Sequence, residues 1–160
     1  MAFEVGDRVY LPQHGVGVVR GLSDDQGTEG CGRVYAVELI KSGLTQTIPL
    51  TRGLRALIPP SAIDRVHDVL RESEAPRFHG SWQEQYREYT HRVATGDPLM
   101  VAGVLRELHQ LGTERALSYG ERRMYDQVRG LIVEEIAIVS GLDEKVVQAE
   151  VDMILEPSRG

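Results

Sequence analysis

The chain has 160 residues, 41% hydrophobic and 26% charged, with a formal net charge of −6 at neutral pH. That length suits one ordinary domain or two small ones, and the acidic balance argues against a general nucleic-acid binder held by bulk electrostatics. There is no run of about 18 apolar residues to span a membrane, the opening MAFEVGDRVY lacks the apolar core of a secretory signal, and the single cysteine, Cys31, supports neither an internal disulfide nor a cysteine-rich zinc site, so a cytoplasmic protein is expected.

The first 58 residues read as short strands and turns. Val9 to Leu11 follows the turn-like Val5-Gly6-Asp7, and Gly15 and Gly17 punctuate Val16, Val18 and Val19. From Arg33 to Leu39 the residues alternate, with Tyr35, Val37 and Leu39 on one face and Val34, Ala36 and Glu38 on the other. Ser23 to Gly32 reads as a glycine-rich loop or an open hairpin tip, and Leu44 to Ile48 as a further strand stopped by Pro49. Val5, Val9, Val16, Val19, Tyr35, Val37 and Leu39 are the expected core. Strands this short and closely spaced suit a small curled sheet or barrel.

Pro59-Pro60 closes that region and the periodicity turns helical. Ser61 is a candidate N-cap ahead of Ile63, Val66, Val69 and Leu70. After a linker from Ser73 to Gly80, a second helix is expected from about Ser81 to Ala94. Gly96, Asp97 and Pro98 mark a boundary, with Asp97 as cap and Pro98 at the first helical position. A third helix carries Val101, Val104, Leu105 and Leu108 and is expected to stop near Gly112. Ser118 and Glu121 form a capping box for a long fourth helix with Met124, Val128, Leu131, Ile132 and Ile136 inward. Gly141 ends it, and a last helix, Leu142 to Leu155, is built around Val146, Val147, Val151 and Ile154.

Charge is unevenly spread. Residues 134–160 carry seven acids against Lys145 and Arg159, and 16 of the 18 basic residues are arginine, the side chain suited to planar contacts with carboxylate or phosphate. Motifs for catalysis are missing. There is no phosphate-cradling Gly-Lys-Ser/Thr loop, the five histidines lack zinc-site spacing, Cys31 has no adjacent basic partner, and Glu134 and Glu135 face different directions on one helix. No catalytic residue, metal or cofactor is therefore expected.

Two stretches are distinctive. One is Phe3-x-Val5-Gly6-Asp7-x-Val9-Tyr10-x-Pro12-x-His14-Gly15-Val16-Gly17-x-Val19. The other is Ser118-x-Gly120-Glu121-Arg122-Arg123-Met124, preceded by Ala94-Thr95-Gly96-Asp97. With Leu44-Thr45, Ile48-Pro49, Gly53-Leu54-Arg55 and Trp82, in this order, they resemble the CarD/CdnL family of bacterial RNA polymerase-binding regulators, from about Phe3 to Leu155. The first motif is shared with the polymerase-binding module of transcription-repair coupling factors; the second favours the CarD/CdnL branch. The resemblance implies an α+β protein. A small Tudor-like β barrel, residues 1–58, docks on the polymerase β subunit, and an all-α bundle of about five helices, residues 59–160, lies against promoter DNA at the upstream edge of the bubble. Such proteins act on open-complex lifetime. A monomer, associated with the nucleoid through polymerase and meeting no membrane, is expected.

The candidate DNA contacts are Trp82, Arg87, Arg92, Arg122 and Arg123. Trp82, the only tryptophan, matches the family's DNA-probing aromatic; a role in the helical core or between domains is the plainer reading. Arg122 and Arg123 sit in a helical first turn, where a phosphate or the acids Glu121 and Asp126 can answer them. Glu84 and Gln85 follow Trp82 where relatives carry basic residues. The candidate polymerase contacts are Asp25, Leu44, Gln46, Thr47, Ile48 and Pro49. Asp25 and Thr47 stand where family members place arginines, so docking is expected to rest more on backbone pairing along a sheet edge and on apolar contact. The alternative is an adaptor that binds polymerase without touching DNA.

Overall fold

The computed structural model describes residues 3–24, 33–49, 53–72 and 80–156, in two compact units, Met1–Leu57 and Ile58–Gly160. Asp25 and Cys31 lie outside the described residues.

The first unit is one antiparallel sheet of β1 (Arg8–Leu11), β2 (Gly15–Asp24), β3 (Arg33–Leu39), β4 (Thr45–Pro49) and β5 (Arg55–Ala56), in the order β4-β3-β2-β1-β5. The register of β2 against β3 shifts between Val19 and Gly21, an irregularity of the kind that raises local twist. The sheet curls enough for both edges to serve one core: Ile48 of β4 and Leu54, beside β5, pack with Val9, Leu11, Val19, Tyr35, Val37 and Leu39. The Tyr35 hydroxyl accepts from the Phe3 amide at 2.9 Å, which anchors the chain's start to β3.

Two expectations for this unit are corrected. Val5 is 64% exposed. It occupies the second position of a turn in which the Asp7 amide donates to the Glu4 carbonyl (3.0 Å) and Asp7 Oδ2 accepts from the Glu4 amide (2.8 Å). Gly6 follows at φ +98°, a conformation that favours glycine, and the turn therefore presents Val5 to solvent. The second correction concerns Ser23 and Asp24, which extend β2 instead of opening a loop, opposite Val34 and Arg33.

The second unit holds a short 3-10 helix, Pro60–Ala62, and, among the described residues, α1 (Ile63–Arg71), α2 (Trp82–Ala94), α3 (Pro98–Glu114), α4 (Tyr119–Ser140) and α5 (Glu144–Leu155). Helix α3 packs against α1, α2 and α4, which is why Ala102, Val104, Leu105 and Leu108 are fully buried. Each such Val or Leu contributes about 1.5–3 kcal/mol. Met124, Val128, Leu131, Ile132 and Ile136 of α4 and Val147, Val151 and Leu155 of α5 complete that core. Arg129 Nε donates to Asp152 Oδ1 at 2.8 Å and joins α4 to α5. Glu135, buried, accepts from the Ile58 amide at 2.9 Å.

Caps read from sequence hold where the chemistry is local. Asp97 accepts from the Leu99 amide at 2.9 Å, and Gly141 ends α4 in the left-handed conformation. Ser61 does not cap α1, because the helical course already begins at Pro60 and encloses it. Helix α3 runs two residues past Gly112, to Glu114; a glycine inside a helix costs only about 1 kcal/mol, and Leu117 packs at its Cα side, 3.5 Å from where a Cβ would stand. Val146 is 54% exposed, not core. At 100° per residue it stands about 140° around α5 from Val151.

Candidate nucleic-acid interface

Two capped helix starts build the site. Ser81 Oγ accepts from the Glu84 amide at 3.2 Å and donates to Glu84 Oε1 at 3.1 Å, which fixes α2 so that Trp82 is its first residue. At α4 the capping box is complete: Ser118 Oγ accepts from the Glu121 amide (3.2 Å) and Glu121 Oε1 from the Ser118 amide (2.8 Å). Arg115 grips the same carboxylate with both guanidinium nitrogens, at 2.9 and 2.8 Å. Those Arg115 hydrogen bonds, against the opposing effect of burial and with help from Ser118, hold the Glu121 pKa down from 4.5 to about 2. The carboxylate therefore stays ionised, and the first turn of α4 is held rigid.

The indole of Trp82 lies on that turn. A Cβ on Gly120 would stand 3.0 Å from Trp82 Nε1, 3.1 Å from Cζ2 and 3.2 Å from Cε2, so the glycine at this position is what permits the contact. Tyr86, one turn along α2, meets the indole with ring centroids 5.7 Å apart and planes at 59°. Tyr119, 79% exposed, has the Arg123 guanidinium 5.8 Å from its ring centre. Trp82, Tyr86, Tyr119, Gly120, Arg123, Met124 and Gln127 line one open cleft of about 490 Å³. Its aromatic faces can stack a planar group, and its guanidinium and amide can meet an anion or a base edge.

The structure thus brings Trp82 and Arg123 together, and sorts the other candidates differently. Arg122 is exposed but turned to the neighbouring side of α4, 3.6 Å from Asp126 and above the Tyr125 ring. There it borders a second cleft with His109, whose Nδ1 is 3.1 Å from the Tyr125 hydroxyl. Burial lowers the His109 pKa and raises that of Tyr125. Arg87 is exposed, makes no ion pair among the described residues and does not line the Trp82 cleft; five positions on from Trp82, it projects about 140° away around the helix. Arg92 is the correction. Its guanidinium is bound to the buried carboxylate of Glu107 and, at 3.2 Å, to Glu88. Burial works against that cation and the two carboxylates outweigh it, raising its pKa. It braces α2 against α3 instead of facing outward.

Tyr86, Tyr119 and Gln127 were missed in the sequence. Their signal was spacing: each stands four residues from Trp82 or Arg123, and thus on the same helical face.

On the sheet, β4 is an edge strand whose only partner among the described residues is β3, from Val34 opposite Pro49 to Glu38 opposite Thr45. Leu44 (64% exposed), Thr47 and Pro49 are exposed and Gln46 is half-buried, its amide 3.4 Å from His14 Nδ1. The Ile48 side chain is 3% exposed, so that residue can offer a partner only its backbone.

The family model described as the CarD C-terminal domain matches residues 65–152, more than half of the chain and all of the Trp82 cleft. The chain belongs to the CarD family. A Bacillus subtilis (strain 168) protein named "Putative transcription factor YdeB" is 25% identical over 151 residues, 92% of this chain and 98% of that protein. Membership of the CarD family supports a role in transcription regulation. No helix among the described residues is long and apolar enough to cross a membrane.

Proposed function

We propose that this CarD-family chain regulates transcription by gripping the initiating complex at two places. The β4 edge, with Leu44, Gln46, Thr47 and Pro49 and the backbone of Ile48, adds to the RNA polymerase β subunit. The Trp82 cleft, with Arg123 beside it and Arg122 on the neighbouring side of α4, steadies opened promoter DNA at the upstream edge of the bubble. The observation that carries this reading is the indole propped on Gly120 between two exposed tyrosines and Arg123. Such an aromatic plate stacks where base pairing ends, at about 1–3 kcal/mol per base, without reading sequence.

A chain of net charge −6 needs help to reach DNA. Docking on polymerase supplies it by raising the local concentration of the second contact. Stabilisation requires only better binding to open than to closed DNA, and about 1.4 kcal/mol of difference shifts that balance tenfold.

The test uses the full chain. Replacing Trp82 with Ala leaves β-subunit binding intact and shortens the open-complex lifetime; Leu44→Asp, at an exposed position, weakens β-subunit binding. Unchanged lifetime with Trp82→Ala rejects the aromatic contact, and unchanged capture with Leu44→Asp rejects the edge. The acid excess of residues 134–160 favours a second reading, an adaptor without DNA contact. A DNA affinity of the chain that falls with added salt supports the first reading, and no DNA binding by the chain even with polymerase present supports the second.

A further inference from the structure

Helix α5 has two apolar faces. Val147, Val151 and Leu155 enter the core. On the opposite side Val146 (54% exposed), Ala149 (exposed) and Met153 (75% exposed) fall within about 60° of one another at 100° per residue. Leu142, just ahead of the Asp143 cap, adds a fourth exposed apolar side chain at the same end (48%). Single exposed apolar residues are ordinary; a line spaced three and then four residues apart is the seam by which helices pair. Its margins are acidic. Glu150 borders one side, Asp152 and Glu156 the other; within α5 the one cation is Lys145, and Arg129 of α4 reaches Asp152. Glu150 and Asp152 already meet His67 (3.7 Å) and Arg129, yet their side chains remain 48% and 42% exposed.

We infer that this face docks a basic amphipathic helix of another protein. The partner's apolar residues lie on Val146, Ala149 and Met153, and its Lys or Arg residues meet Glu150, Asp152 and Glu156. A second copy of this chain fits poorly. It would bring like-charged margins together, which disfavours that pairing.

The test uses the full chain and a labelled synthetic peptide of about three heptads, Leu at the seam and Lys beside it, with a control carrying Glu beside the seam. Anisotropy is expected to show saturable binding of the basic peptide, about tenfold weaker binding of the acidic one, and about tenfold loss with Val146→Glu plus Met153→Glu. The added glutamates increase the chain's negative charge, so loose electrostatic attraction predicts tighter binding by this variant, and equal or tighter binding overturns the inference. Equal affinity for both peptides overturns it too. Sedimentation showing a wild-type dimer that the double variant abolishes gives the face to a second copy instead. Val146→Ser plus Met153→Gln, expected to weaken the basic peptide as well, keeps the test decisive if the glutamate variant fails to fold. Trp82→Ala should bind the peptide like the unaltered chain, so this result stands or falls apart from the promoter contact.

Discussion

Replacing Gly120 with Ala sets two effects against each other at one atom. Alanine is favoured over glycine within a helix by about 1 kcal/mol, and somewhat less in a first turn. The added Cβ would stand 3.0–3.2 Å from three indole atoms of Trp82, inside the about 3.5–4.0 Å at which carbon atoms pack without repulsion. The indole must therefore shift by about half an ångström or rotate, at a cost of about 1 kcal/mol. The two contributions nearly cancel, so unfolding in urea should change by less than about 1 kcal/mol, whereas the plate offered to DNA is displaced. Losing about half of a stacking interaction of about 1–3 kcal/mol removes about 1 kcal/mol, a roughly fivefold shorter open-complex lifetime. Since Trp82 is the only tryptophan, its fluorescence reports the displacement directly, with emission expected to move to the red. A folded variant with unchanged emission and unchanged lifetime would refute the claim that Gly120 seats the indole.

Glu121→Gln tests the cap. The folded carboxyl, at about 2 against the ordinary 4.5, contributes stability that is complete above the ordinary value and lost as pH falls from 4.5 towards 2. The variant should be about 2 kcal/mol less stable at pH 7, a figure lowered for the exposure of Arg115, and the difference in urea midpoint should narrow towards pH 3. Arg92→Ala removes a cation from the buried Glu107 carboxylate and should cost about 3 kcal/mol in thermal unfolding. Arg123→Ala, at the surface, should change stability by less than about 0.5 kcal/mol while shortening the open-complex lifetime. An unchanged melting temperature for Arg92→Ala would return that residue to the DNA-contact candidates. Thr47→Arg, which places arginine where the family resemblance implies one, should tighten β-subunit capture; no gain would count against the β4 edge.

Much of the fold was legible because its signals are short-ranged. The Ser118–Glu121 box and the Asp97 cap depend on groups within three residues of each other, and the alternation of β3 needs no partner to be seen. The readings that failed are those where a local pattern admits two outcomes. Val5 is apolar and fits the core by type, but the turn it sits in faces it outward. Val146 fits a helix face, but α5 has two such faces, and only packing on α4 and α1 chose Val147 and Val151. Trp82 and Arg123 were picked out as separate candidates, and nothing nearby in the chain says that the indole rests on Gly120.

The sequence by itself determined the kinds and order of the main elements and the Asp97 and Ser118 caps, because these follow from backbone preference and periodicity over a few residues, while its two motifs carried the family resemblance. Only the tertiary structure decided which arginines are free. Arg92 and Arg123 look alike along the chain; folding sets Glu107 against one and leaves the other at an open cleft, since an ion pair depends on distances in space that no spacing in sequence fixes.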